Sequence, residues 1–94
     1  MERYLVVFVG RVQGVGFRYT VYHTARCYNL TGYVKNRGNG DVEAQIQGES
    51  ENIAGFLSDM LSDALREQSF IRIIDYSLKK LDVKEGEDSF QVTY

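Results

Sequence analysis

Three glycines and one arginine carry most of the chemistry this sequence offers. Gly10, Gly14 and Gly16 punctuate the stretch Gly10-Arg11-Val12-Gln13-Gly14-Val15-Gly16-Phe17-Arg18, which leads from an apolar run into an amphipathic one. Glycine accepts positive φ and lets a backbone come close to a ligand. A loop that feeds the start of a helix also aims several unpaired N–H groups at one point, where the helix dipole favours negative charge. Arg18, in the expected first turn, adds a forked cation matched to phosphate oxygens. The stretch reads as an anion cradle whose expected guest is a phosphoryl group.

Other groupings of reactive side chains fare worse. Gly14-Val15-Gly16-Phe17-Arg18-Tyr19 opens like a dinucleotide fingerprint, but Tyr19 stands where Gly or Ala is needed, and the chain is too short for a doubly wound domain. No Gly-Lys-Ser/Thr follows, so a P-loop is excluded. His23 and Cys27 are neighbours on one helix. They lie about 140° and 180° around it from Arg18, however, and there is no second His or Cys to complete a zinc site. No metal and no cofactor are expected. Glu85 to Asp88 read as a solvated acidic loop.

The whole chain bounds these readings. Its 94 residues suffice for one domain, residues 1–94, with a single core. Hydrophobic residues at 44% and charged ones at 26% are ordinary for a globular protein. A net charge of −2 carries no general basic footprint, so nucleic acid is not the expected partner. Any anion site must then be local. One cysteine rules out an intrachain disulfide, and no signal-like or membrane-spanning apolar run is present. A cytoplasmic monomer with no membrane partner is expected.

The elements that must hold the cradle follow from periodicity. Tyr4 to Val9 reads as a buried strand, after which Phe17, Val21, Ala25 and Tyr28 form one helical stripe. Asn29 suits a left-handed C-cap. Leu30 to Asn36 is a strand, Arg37-Gly38-Asn39-Gly40 a turn, and Asp41 to Gln47 an alternating strand. In that strand Val42, Ala44 and Ile46 face in, while Glu43, Gln45 and Gln47 face out. Ser50 is the expected N-cap of a second helix, with a stripe of Ile53, Phe56, Leu57, Met60, Leu61, Ala64 and Leu65. Ile71 to Leu81 places Ile74, Tyr76 and Leu78 at strand spacing, with an irregularity near Ile73. Phe90, Val92 and Tyr94 make a short last strand.

The order β-α-β-β-α-β, plus a short terminal strand, predicts an α+β fold. It is the ferredoxin-like split βαβ sandwich, with two helices on one face of a mostly antiparallel sheet. A helical crossover makes the first two strands parallel, so both end at the same edge. The cradle begins where the first ends and Asn36 ends the second. Both should face one cleft.

Val12-Gln13-Gly14-Val15-Gly16-Phe17-Arg18, followed by Gly32-Tyr33-Val34-Lys35-Asn36 and Gly40-Asp41-Val42-Glu43, resembles the acylphosphatases over nearly the whole chain. The resemblance implies metal-independent hydrolysis of the carboxyl–phosphate anhydride of a small-molecule acyl phosphate, releasing carboxylate and inorganic phosphate. It assigns phosphate binding to Arg18 and orientation of the attacking water to Asn36. Backbone amides from Gln13, Gly14, Val15, Gly16, Phe17 and Arg18 would form the phosphate cradle. The position after the asparagine, often small or hydroxylated in animal members, is Arg37 here, which leaves the acyl end open.

Two other readings keep the same cradle. One is a module like the acylphosphatase-like part of carbamoyl-transfer maturation proteins, against which the short chain, its initiating Met1 and the lack of paired cysteines argue. The other is a non-catalytic anion-binding domain. RNA-binding domains share the element order, but their aromatic signature is missing.

Overall fold

The computed structural model describes residues 1–62 and 70–94. Among these residues seven elements follow one another: β1 (Glu2–Arg11), α1 (Phe17–Cys27), β2 (Thr31–Asn36), β3 (Val42–Gly48), α2 (Ser50–Met60), β4 (Arg72–Leu81) and β5 (Phe90–Val92). They form one five-stranded sheet in the order β4-β1-β3-β2-β5. Both helices lie over the same face, which gives the ferredoxin-like sandwich expected from the sequence. Among the described strands, only β2 and β5 pair in parallel.

Alternation along the strands builds the core. Val6 and Phe8 of β1, Val34 of β2, and Val42, Ala44 and Ile46 of β3 are fully buried. Above them sit Phe17, Val21 and Ala25 of α1 and Ile53, Phe56 and Met60 of α2. Phe8 and Phe17 meet edge to face, with ring centroids 5.1 Å apart. Burying each large side chain contributes roughly 1.5–3 kcal/mol, so this contact anchors the start of α1 to the sheet. Asn29 adopts the left-handed conformation at φ 55°, as its place after α1 predicted.

Register fixes the common edge of the two crossover strands. Val42 pairs with Phe8 on one side and Asn36 on the other. β3 lies between β1 and β2 and runs against both, which makes those two parallel though not adjacent. The loop after β1 and the end of β2 therefore open on one side of the molecule.

Four local expectations are corrected. Ser50 is the first helical residue, not the cap. Glu49 takes that place in an extended conformation, and its carbonyl accepts the N–H groups of Asn52 and Ile53 at 3.0 Å each. In β4, Ile74 is 69% exposed because the pairing slips between Val9 and Gly10. The slip leaves Ile74 unpaired and turns Ile71 and Ile73 inward instead, at the irregularity foreseen near Ile73. Gly10 accordingly belongs to β1, not the loop. Its φ is 139°, and a Cβ there would run into the Arg72 carbonyl oxygen. Ala64 and Leu65 lie outside the described residues.

The fourth correction concerns the sheet's other face, which is not simply solvated. Arg3 is 4% exposed, and its guanidinium bonds Gln45, Gln47 and Glu87. The Gln47 amide exchanges two hydrogen bonds with the Lys84 backbone, at 2.9 and 2.8 Å. Glu87, expected in a solvated loop, thus anchors the connection between β4 and β5 across the sheet. A buried arginine needs such a counter-charge, and the loop delivers it.

Candidate active site

The cradle loop leaves β1 at Arg11 and enters α1 at Phe17. Gly14 and Gly16 have φ of 73° and 78°, conformations that L side chains adopt only at a cost. Gly16 is the N-cap of α1 and provides no capping side chain. Its carbonyl accepts the Thr20 N–H at 3.2 Å, the first rung of the helix. The N–H groups of the first turn have no acceptor within the helix and point out of its end. No acidic residue lies in that turn to neutralise the dipole.

A cavity of about 220 Å³ opens at this point, lined by Val12, Gly14, Gly16, Phe17, Arg18, Tyr19 and Asn36. The helix start and the end of β2 meet there, as the parallel arrangement of β1 and β2 requires. Arg18 and Asn36 are thus brought together. Val12 and Phe17 are buried and form its floor. Gln13 and Val15 are not in the lining. Val15 packs against the core, whereas the Gln13 side chain reaches the hairpin turn. There its Nε2 donates to the carbonyls of Arg37 and Asp41, at 2.7 and 2.9 Å.

Arg18 is held from a direction the sequence did not reveal. One terminal nitrogen donates to the Thr93 carbonyl at 3.1 Å, and the guanidinium lies 4.5 Å from the centre of the Tyr94 ring. Thr93 is fixed in turn by its N–H bond to the Val34 carbonyl, 2.8 Å, which extends the pairing of β5 with β2. Phe90, Val92 and Tyr94 have strand spacing, but spacing alone does not show which strand they will join. With five N–H donors, a guanidinium can make this contact and still face an anion.

Arg37 turns away from the cavity. Its Nε donates to Glu43 at 3.1 Å, and Tyr33 donates its hydroxyl to the same carboxylate at 2.8 Å. Burial alone would raise the Glu43 carboxyl. The hydrogen bonds from Tyr33 and Arg37 and the nearby Lys35 charge outweigh it, so the group is held below the ordinary carboxylate range. Burial and the Glu43 contact push the Tyr33 phenol up. His23 and Cys27 are exposed, and the His23 ring stacks on that of Tyr19 with centroids 6.4 Å apart. Among the described residues, no three His, Cys, Asp or Glu side chains converge. None of the helices among them is long and apolar enough to cross a membrane.

Fold and site together define a ferredoxin-like sandwich with a glycine-rich loop and a cavity between its first strand and first helix. The acylphosphatase family profile matches residues 4–92, and the chain belongs to that family. It is 39% identical to an acylphosphatase of Clostridium acetobutylicum over 94 residues, covering all of this chain and 99% of the relative. The crystal structure of acylphosphatase from Bacillus subtilis superposes with a TM-score of 0.85 at 36% identity, each chain covered in full. The T. kodakarensis HypF structure also matches, with a TM-score of 0.84 and 32% identity, but this chain covers only 12% of it.

Proposed function

We propose that the chain hydrolyses acyl phosphates with Arg18 and the first-turn amides of α1 gripping the phosphoryl group and Asn36 holding the attacking water. Water adds to phosphorus as the bond to the carboxylate oxygen breaks, releasing carboxylate and inorganic phosphate. The leaving group is already good, so no covalent intermediate is needed. Catalysis then rests on position and on stabilising charge over the equatorial oxygens. Arg18 and the backbone donors supply the charge stabilisation. The Asn36 amide can accept from the water and donate to it, which fixes the water's orientation.

The observation that carries this reading is that Arg18 and Asn36 share one cavity at a helix start. Family membership supports the same activity. The test is hydrolysis of acetyl phosphate by wild type and Arg18→Ala, with and without a chelator. Turnover that survives the chelator and falls at least about a hundredfold in the variant is expected. Phosphate binding without turnover would instead make the domain an anion-recognition module.

A further inference from the structure

Tyr19 follows Arg18 on α1, and it is 58% exposed although it lines the same cavity. Its ring also forms a wall of an adjoining groove with Tyr22 and Arg26. These positions fall on one stripe of the helix. The Tyr19 ring is not loose: it stacks on His23 with an interplanar angle of 26°, and His23 meets the Tyr22 ring edge to face at 5.2 Å. An aromatic ring braced by its neighbours, outside the core and beside the anion site, offers an apolar surface that folding does not use.

We infer that Tyr19 is a specificity-determining residue that receives the acyl group and favours flat, apolar acyl groups over acetyl. This rests on the reading that the cavity binds the phosphoryl group. With the phosphoryl group on Arg18 and the α1 amides, the substituent on the carbonyl must leave through the cavity mouth. Tyr19 is the exposed aromatic residue of that lining. The other side chain that could address the acyl end, Arg37, is committed to Glu43. The cavity lining contains no carboxylate, and its one charged group, Arg18, is taken up by the phosphoryl oxygens on that reading. An acyl group therefore meets a ring face, and ring-on-ring contact adds to simple area burial.

The experiment compares kcat/KM for benzoyl phosphate and acetyl phosphate in wild type, Tyr19→Phe and Tyr19→Ala, with inhibition by inorganic phosphate as a reading of the cradle. Tyr19→Ala is expected to lower the benzoyl-to-acetyl ratio by about three- to tenfold, mainly through KM for benzoyl phosphate. Tyr19→Phe should keep the ratio, and phosphate inhibition should be unchanged in both variants. An equal fall for both substrates, or an unchanged ratio in Tyr19→Ala, would overturn the inference while leaving the catalytic reading intact. Failure of wild type to turn over either substrate would overturn both.

Discussion

Arg3 and Glu87, 84 residues apart in sequence, form a two-pronged ion pair with N–O distances of 2.8 and 3.2 Å. Their side chains are 4% and 13% exposed. Burial by itself would raise the Glu87 carboxyl, but hydrogen bonds from Arg3 and Thr31 together with the Arg3 charge hold it below its ordinary value of 4.5. Its stabilising contribution is fully present above that value and is lost as pH falls through the lower folded one. The urea midpoint of wild type should therefore fall more steeply than that of Glu87→Gln between about pH 5 and 3. At neutral pH, Glu87→Gln should cost about 3 kcal/mol, because it leaves Arg3 buried without its counter-charge. Parallel acid profiles would remove Glu87 from this role.

Asn36 and Arg18 share a cavity but have separable proposed tasks. Asn36→Ala should lower kcat by one to two orders of magnitude, roughly 1.4–3 kcal/mol of barrier, with inhibition by inorganic phosphate nearly unchanged. Steady-state kinetics with phosphate as inhibitor would check both. Weakened phosphate inhibition in a folded variant would assign Asn36 to anion binding instead.

The stack of Arg18 on Tyr94 should narrow the range of positions open to the guanidinium before an anion arrives. Tyr94→Ala is expected to weaken phosphate inhibition by about two- to fivefold, the scale of an exposed cation–π contact. Tyr94→Phe, which keeps the ring, should behave as wild type. Equal effects of the two substitutions would point to the phenol hydroxyl and away from the ring.

Gly16 sits at φ 78° with nothing within 4 Å of a Cβ placed on it, so the cost of Gly16→Ala is torsional, not steric. A loss of about 1–2 kcal/mol is expected in chemical denaturation, with Gly16→Asn losing less because asparagine tolerates the left-handed region. Phosphate inhibition should weaken in the alanine variant as the first-turn amides shift. An alanine variant of wild-type stability would show that the loop has an unstrained alternative.

The sandwich and the meeting of Arg18 with Asn36 were legible because both follow from local rules. Apolar stripes at Val21 and Ala25, alternation at Val42, Ala44 and Ile46, and the crossover rule leave little freedom in placing the ends of β1 and β2. What stayed hidden depended on long-range pairing. Nothing in the spacing of Phe90 and Val92 says that β5 will lie parallel to β2 and bring Tyr94 to Arg18. Likewise, Glu87 looked solvated because its partner Arg3 lies near the other end of the chain. The slip opposite Gly10 was foreseen only as an irregularity, since periodicity locates a bulge but does not say which residue it ejects.

The Gln13 side chain spans the gap between the loop before α1 and the turn after β2, clasping two backbone carbonyls of that turn. The proposed phosphoryl cradle and the end of β2 that carries Asn36 are thereby mounted on one frame. Disturbing the hairpin tip would tug on the amides proposed to hold the anion, so mutations at Gly38 or Asn39 are expected to surface as changes in turnover without touching any reacting atom.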